Sequence, residues 1–431
     1  MHRLTSTLIG YRLAGILLLA AGARAAESPP ETLTISLPTL INEIAAKNPE
    51  LNFYTAEIAA ARAGGRRAGA IADPELSLDV GHKRVHEASG ALAGEGTVWS
   101  VSVTQTFEWP GRLTLRKSIA NRRINLAELG LARFKAALSA RAQTLAYGLY
   151  AANAKSAAVR EVADRFASLK ETFLAREPAG ITPLLETRVI EASELALQRR
   201  ATEAELALQA ALIELNHLRG AAADTSLRIA APRLQLNNAP AKDALLAAAY
   251  ENNFDFIARR MELEQQGSEV RLARNERYPA VSIRPFYSEE KADQRETIVG
   301  IGVSVPLPVS HRVRGAVDVA EVRRRQAETA LLLAQRALER DVLTMLQAFT
   351  TKVAETRRWS PDAVTKFREA AELADRHYRL GAVPVATYVE LQKSYLDALE
   401  SLLDTQREAG EAGLKLVQLT GLDFNPVEVA Q

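Results

Sequence analysis

Trp99-Ser100-Val101-Ser102-Val103-Thr104-Gln105-Thr106-Phe107 is the stretch on which the fold turns. Trp99, Val101, Val103 and Phe107 alternate with Ser100, Ser102, Thr104 and Thr106. A period of two, with branched or aromatic residues on one side and small polar ones on the other, marks a β-strand with one apolar face. Just upstream, Leu76, Leu78 and Val80 alternate with Glu75, Ser77 and Asp79 in the same way.

Both segments return. Pro74-Glu75-Leu76-Ser77-Leu78 is matched 205 positions later by Pro279-Ala280-Val281-Ser282-Ile283, and Val101 to Gln105 is matched 200 positions later by Ile301-Gly302-Val303-Ser304-Val305. A third match, at an offset of 201, pairs Leu215-Asn216-His217-Leu218-Arg219-Gly220 with Leu416-Val417-Gln418-Leu419-Thr420-Gly421. Three matches in one order imply an internal duplication. The first repeat is expected over 39–220, with strands at about 74–83 and 97–107. A linker follows at 221–242, then a second repeat over 243–421 with strands at about 279–288 and 297–306, and a tail at 422–431. Each repeat reads helix, two strands, very long helix, tip turn, helix.

Strands of about ten residues are long enough to cross an apolar layer when tilted as in outer-membrane barrels. No other strand-like segment is evident that could build a sandwich, so the branched faces are expected to meet lipid. Four strands cannot close alone, because the smallest membrane barrels have eight and open edges are not tolerated in lipid. Several chains must therefore share one barrel, of eight strands for a dimer or twelve for a trimer.

The helices set the second dimension. From Arg112 to about Glu177 nothing interrupts the pattern, and Leu131, Phe134, Leu138, Leu145 and Leu149 recur at helical spacing. Arg312 to Leu380 behaves likewise, with a break at Trp359-Ser360-Pro361. Such spans make rods of about 100 Å at 1.5 Å per residue. Their length points to coiled-coil packing, one long helix beside two shorter ones stacked end to end. The first helix of each repeat, from Thr39 to Ala72 and from Ala244 to Arg277, ends at Pro74 or Pro279, with Asn48 matching Asn253.

At the N-terminus Arg3 and Arg12, the apolar run Leu13 to Ala21 and Ala23-Arg24-Ala25 have the anatomy of a secretory signal peptide over 1–25, cut after Ala25 or Ala23. Residues 26–38 read as an extended arm. The 431 residues hold no cysteine, which excludes disulfides, thiolate metal sites and a lipid-modified N-terminal Cys. With 54 basic and 52 acidic side chains the net charge is +2, which gives no field for nucleic acid. No enzyme fingerprint is present, so neither a catalytic residue nor a cofactor is assigned. His82 and His86, in His82-Lys83-Arg84-Val85-His86-Glu87, fall at a strand end and loop and are not assigned to a metal. Trp99, Phe107, Trp109, Phe286 and Tyr287 sit near strand ends, where membrane barrels place aromatic girdles.

Pro74 to Leu78, Gln105-Thr106-Phe107-Glu108-Trp109-Pro110-Gly111-Arg112, Val305-Pro306-Leu307-Pro308, Tyr378-Arg379-Leu380-Gly381 and Leu416 to Gly421 resemble the outer-membrane efflux (TolC-like) family. The resemblance covers nearly the whole mature chain. It implies an α+β membrane protein: a homotrimer with a twelve-stranded outer-membrane β-barrel and a long periplasmic α-helical barrel. The implied partners are a periplasmic adaptor, an inner-membrane pump of the RND type and outer-membrane lipid. Pro306-Leu307-Pro308 followed by Arg312-Val313-Arg314-Gly315 is most similar to the branch serving cobalt–zinc–cadmium pumps.

The resemblance also implies a periplasmic gate, formed by a Tyr, a Gly and then a ring of acids. Tyr378 and Gly381 match the first two, and Glu390 the second acid. Thr387 stands in place of the first acid. In the first repeat Pro183 replaces an acid, and Glu186 aligns with Glu390. A carboxylate ring would favour cations. The expected function is a passive efflux conduit for heavy-metal cations. Export of organic compounds or of type I secreted proteins uses the same fold, and a soluble periplasmic coiled-coil adaptor is the rival architecture.

Overall fold

In the computed structural model, which describes residues 33–174, 181–229, 233–292, 294–307, 312–360 and 362–430, the chain runs twice through the same order of elements. A short strand, β1 (Leu33–Ile35), leads into α1 (Leu37–Lys47) and α2 (Glu50–Ala68). The hairpin β2 (Glu75–His86) and β3 (Leu92–Phe107) follows, then α3 (Arg112–Leu174) and α4 (Ile181–Arg219). Between the halves lie β4 (Leu227–Ile229) and β5 (Arg233–Leu236). The second pass comprises α5 (Lys242–Asn252), α6 (Phe254–Asn275), the hairpin β6 (Val281–Lys291) and β7 (Arg295–Ser304), α7 (Arg312–Arg358), α8 (Ala363–Arg379), α9 (Val385–Thr420) and β8 (Val427–Ala430). The expected signal peptide, the arm as far as residue 32 and the first tip turn at 175–180 lie outside the described residues.

Two expectations need correction. The first helix of each repeat is not continuous. It breaks at Asn48 before Pro49, and again at Asn253, because each Asn turns into extended backbone and its side chain accepts from the first turn of the helix that follows. The Asn48 Oδ1 accepts from the Glu50 N–H at 2.9 Å and the Asn253 Oδ1 from the Phe256 N–H at 2.9 Å. Each Asn also reaches the last helix of its own repeat: Nδ2 of Asn48 donates to the Leu218 carbonyl at 3.3 Å, and that of Asn253 to the Leu419 carbonyl at 2.9 Å. Those last helices end on Gly220 and Gly421, both with positive φ (68° and 64°), the left-handed cap that glycine adopts without strain. The third sequence match is therefore one joint built twice.

The second correction concerns strands. Four short ones lie outside the hairpins: β1 pairs with β4 in parallel and β5 with β8 antiparallel, clasping arm, linker and tail around the waist of the rods. At three or four residues they are too short to leave a readable alternation.

The four long strands form one antiparallel sheet in the order β2-β3-β6-β7, so the two repeats join at β3 and β6 while β2 and β7 stay open. Away from the sheet, α3 is 63 residues long, about 95 Å. It is flanked by α2, then α1, then α4. The apolar core is a string of clusters. Leu40, Ile44, Leu138, Ala142 and Leu215 form one, and Leu245, Ala249, Leu338, Val342 and Leu416 form its counterpart in the second repeat. A third cluster, around Phe166, Ile190, Ala371 and Tyr388, closes the far end. Among the described residues no helix is long and apolar enough to cross a membrane.

Candidate functional site

The sheet has two chemically distinct faces. One carries Leu76, Leu78 and Val80 on β2, Trp99, Val101 and Val103 on β3, Ile283 and Tyr287 on β6, and Val299, Ile301 and Val303 on β7; register brings these side by side, as in Leu78–Val101–Tyr287–Val299. Leu76, Val80, Val299 and Ile301 are each about three-quarters exposed (73%, 75%, 76% and 73%), a contiguous apolar patch of the kind that marks a membrane or protein contact. From Trp99 to Phe107 the face extends about 27 Å along the strand. The other face bears Ser77, Asp79, Ser100, Ser102, Thr104, Ser282, Arg284, Gly300 and Gly302. Asp79 accepts from the Ser100 hydroxyl at 3.1 Å, and Thr106 and Ser282 share a hydrogen bond of 2.9 Å.

Aromatic pairs flank the apolar band. Trp99 meets Tyr287 at 5.4 Å at the hairpin end, and Trp109 stacks on Tyr278 at 4.9 Å at the helix end. Phe107 is half-exposed on the apolar face. Phe286 is not part of this girdle: one residue out of phase with Tyr287, it lies on the polar face, its ring laid over Gly300, where a Cβ would sit 2.6 Å from it. Tyr278 was missed in the sequence because it precedes the strand and no alternation includes it. His82 and His86 also differ from expectation. Strand β2 runs through both, so they share a face, about 13 Å apart and too far to hold one ion together. Among the described residues no group of three or more metal-ligating side chains converges.

At the opposite end of the rods, the turn after α8 gathers the expected tip residues unequally. Gly381, exposed with φ 74°, donates to the Tyr378 carbonyl at 2.9 Å, and Ala382 donates to the His377 carbonyl at 2.9 Å, closing the helix end. Tyr378 turns inward and stacks on Tyr388, which is fully buried and meets Phe166 of α3 at 5.0 Å. Burial pushes the Tyr378 hydroxyl up to about 12, with the charge of Glu186 adding to it; Ile190 of α4 shares the buried cluster of Ala374 and Tyr378 of α8. Burial raises the Tyr388 hydroxyl still further, and that hydroxyl has no hydrogen-bond partner.

Thr387 and Glu390 face the other way, exposed on α9. Pro183 lies in the first turn of α4. The structure therefore unites Tyr378 with Glu186 and separates both from Glu390. It adds a tie that sequence reasoning missed. Gln392, 1% exposed, donates to the Ala371 carbonyl of α8 at 2.8 Å and accepts from the Arg165 guanidinium of α3 at 3.4 Å, and Arg165 also approaches Glu372 at 3.8 Å. The available signal was the spacing of Tyr388, Gln392 and Tyr395 along one helix face.

Residues 245–422 match the family model described as "Outer membrane efflux protein". No curated protein matches it in sequence. In fold it is similar to a membrane protein from Pseudomonas aeruginosa (TM-score 0.73, 19% identity, 90% of this chain and 91% of that one). It is also similar to the CusC channel (0.70, 16%, 91% and 93%) and to the CmeC outer membrane channel of Campylobacter jejuni (0.71, 14%, 89% and 85%).

Proposed function

We propose that three copies close edge to edge into a twelve-stranded barrel, continued by a helical tunnel, and act as the outer-membrane conduit of a tripartite efflux system. The observation that carries this is the pair of open edges, β2 and β7, on a sheet with one largely exposed apolar face. Such a sheet is stable only in lipid and only when closed. The internal joint β3–β6 already shows how one repeat adds to the next.

In this reading the polar face lines the pore, and substrate arrives from an adaptor and an inner-membrane pump at the tip. Tyr378, Glu186, Gln392 and Arg165 hold the tip helices together, and Glu390 supplies a carboxylate from each copy to an acidic ring. A ring of this kind favours cations. With the turn residues Pro306 to Gly315, it supports heavy-metal cations as cargo. Deleting the gene and comparing sensitivity to zinc, cobalt, cadmium and copper with sensitivity to dyes and detergents tests the cargo: the metal panel should change, and a change confined to the organic panel would replace metals by organic compounds. Release from envelopes by salt without detergent would instead return the protein to the soluble coiled-coil reading.

A further inference from the structure

The apolar face does not end at the hairpins; it changes chemistry. On β2 the side that carries Leu76, Leu78 and Val80 continues with His82, Arg84 and His86, all exposed. On β7 the side of Ile301 and Val299 continues to Arg295, and on β6 that of Tyr287 continues through Glu289 to Lys291. Three permanent cations thus stand just beyond the Trp99–Tyr287 pair, with two histidines beside them.

Only two carboxylates share that rim among the described strand residues. Glu95 is divided between His82 (3.5 Å) and Arg84 (3.3 Å), and Glu289 pairs with Arg295 at 2.7 Å. Lys291 and Arg295 are directly opposite each other in the ladder, a like-charge pair that shares the single carboxylate of Glu289. The remaining acids of this end, Glu290 and Glu296, gather around Lys83 on the polar face.

Closing the barrel sharpens this. Leu76 faces Val103 as Ile283 faces Val303, and on that equivalence extending the β3–β6 register to β7 and the next β2 sets Arg295 alongside His86 of the partner subunit, with Arg84 of the partner subunit one pleat away. Where β3 carries Glu95 on this face, β7 carries its repeat counterpart Arg295. The seam between copies is therefore basic at the level of the outer headgroups.

We propose that each such seam, built by Arg295, Lys291 and the neighbouring copy's Arg84 and His86, binds the anionic headgroup of an outer-leaflet lipid. The position selects a lipid over a free anion, because the cations continue the same face that meets acyl chains. This rests on the trimeric closure proposed above.

The test is native mass spectrometry of the full chain, purified from nanodiscs of phosphatidylcholine alone, with phosphatidylglycerol, or with lipid A, and in a separate arm with inorganic phosphate. One retained anionic lipid per seam is expected, and none of the phosphatidylcholine. The double variant Arg84→Gln/Arg295→Gln should weaken retention by about tenfold or more, since each cation contributes separately to headgroup attraction, whereas Lys83→Gln on the polar face should not. Where the double variant does not assemble, Arg295→Gln alone carries the comparison, with Arg295→Lys expected to retain lipid. Equal retention by the glutamine variants, equal retention of phosphatidylcholine, or displacement of the lipid by inorganic phosphate would overturn the proposal. A protein mass other than three chains, read from the same spectrum, would overturn the closure itself.

Discussion

The rings of Tyr378 and Tyr388 lie stacked, 5.1 Å between centroids and 15° apart, across the turn that joins α8 to α9. One ring closes the end of α8 and the other is wedged against Phe166 of α3, so the pair fixes where the tip sits on the long rod. Any opening at the tip must separate or carry this stack.

Removing Tyr388 should therefore loosen the tip while leaving the sheet intact. Tyr388→Ala should cost about 3–5 kcal/mol locally, the usual range for a buried aromatic. Tyr388→Phe should be close to neutral, because the hydroxyl has no partner to lose. Hydrogen exchange of residues 378–395 should rise steeply in the first variant and stay at wild-type level in the second.

Alkaline pH should loosen the same region. Burial holds the Tyr378 hydroxyl up to about 12, against about 10 for a free tyrosine. An unfolded tip thus gives up its proton before a folded one does. The stabilisation is complete below about pH 10 and is lost as pH rises toward about 12. Exchange in 378–395 should be flat from pH 7 to about 10, after correction for intrinsic rates, and then climb. A climb beginning below about pH 9 would contradict this.

The waist joints should respond in parallel. Asn253→Ala removes both a helix cap and the bond to the Leu419 carbonyl, a loss of about 1–3 kcal/mol. Asn48→Ala should do the same in the first repeat. Limited proteolysis should cut near the altered joint in each variant before it cuts at the other.

Gly96 is the least replaceable residue of the sheet. A Cβ there would sit 1.6 Å from the Lys291 carbonyl oxygen, where β3 passes the end of β6. Gly96→Ala should split the internal seam and abolish assembly, whereas Gly81→Ala, with open space around it, should assemble normally. Yield of detergent-stable oligomer checks both.

Glu390→Gln should lower the cation preference of reconstituted channels without changing their assembly, because the side chain is exposed. Reversal potentials across a salt gradient measure it.

The long strands and rods were legible because their periods persist over many residues: Val101 and Val103 on β3, or Leu138 and Leu149 on α3, repeat one rule. What escaped notice was local or non-periodic. Asn48 breaks a helix through a side-chain cap that hydropathy does not register. Strands β1, β4, β5 and β8 are too short to alternate. Phe286 has the composition of a girdle residue but the wrong phase, and phase is fixed by the register with Gly300. At the tip, Tyr378 and Glu186 come from different repeats, and only the folded packing of α4 against α8 brings them together.

The central claim is that β7 of one copy pairs with β2 of the next until three copies close. Because the chain has no cysteine, Leu78→Cys/Val303→Cys gives a clean pair for a short bis-maleimide linker in intact membranes. The account predicts linked dimers and trimers and nothing larger. A ladder that stops at two chains or runs beyond three, or monomers alone from a variant that still exports substrate, would contradict it.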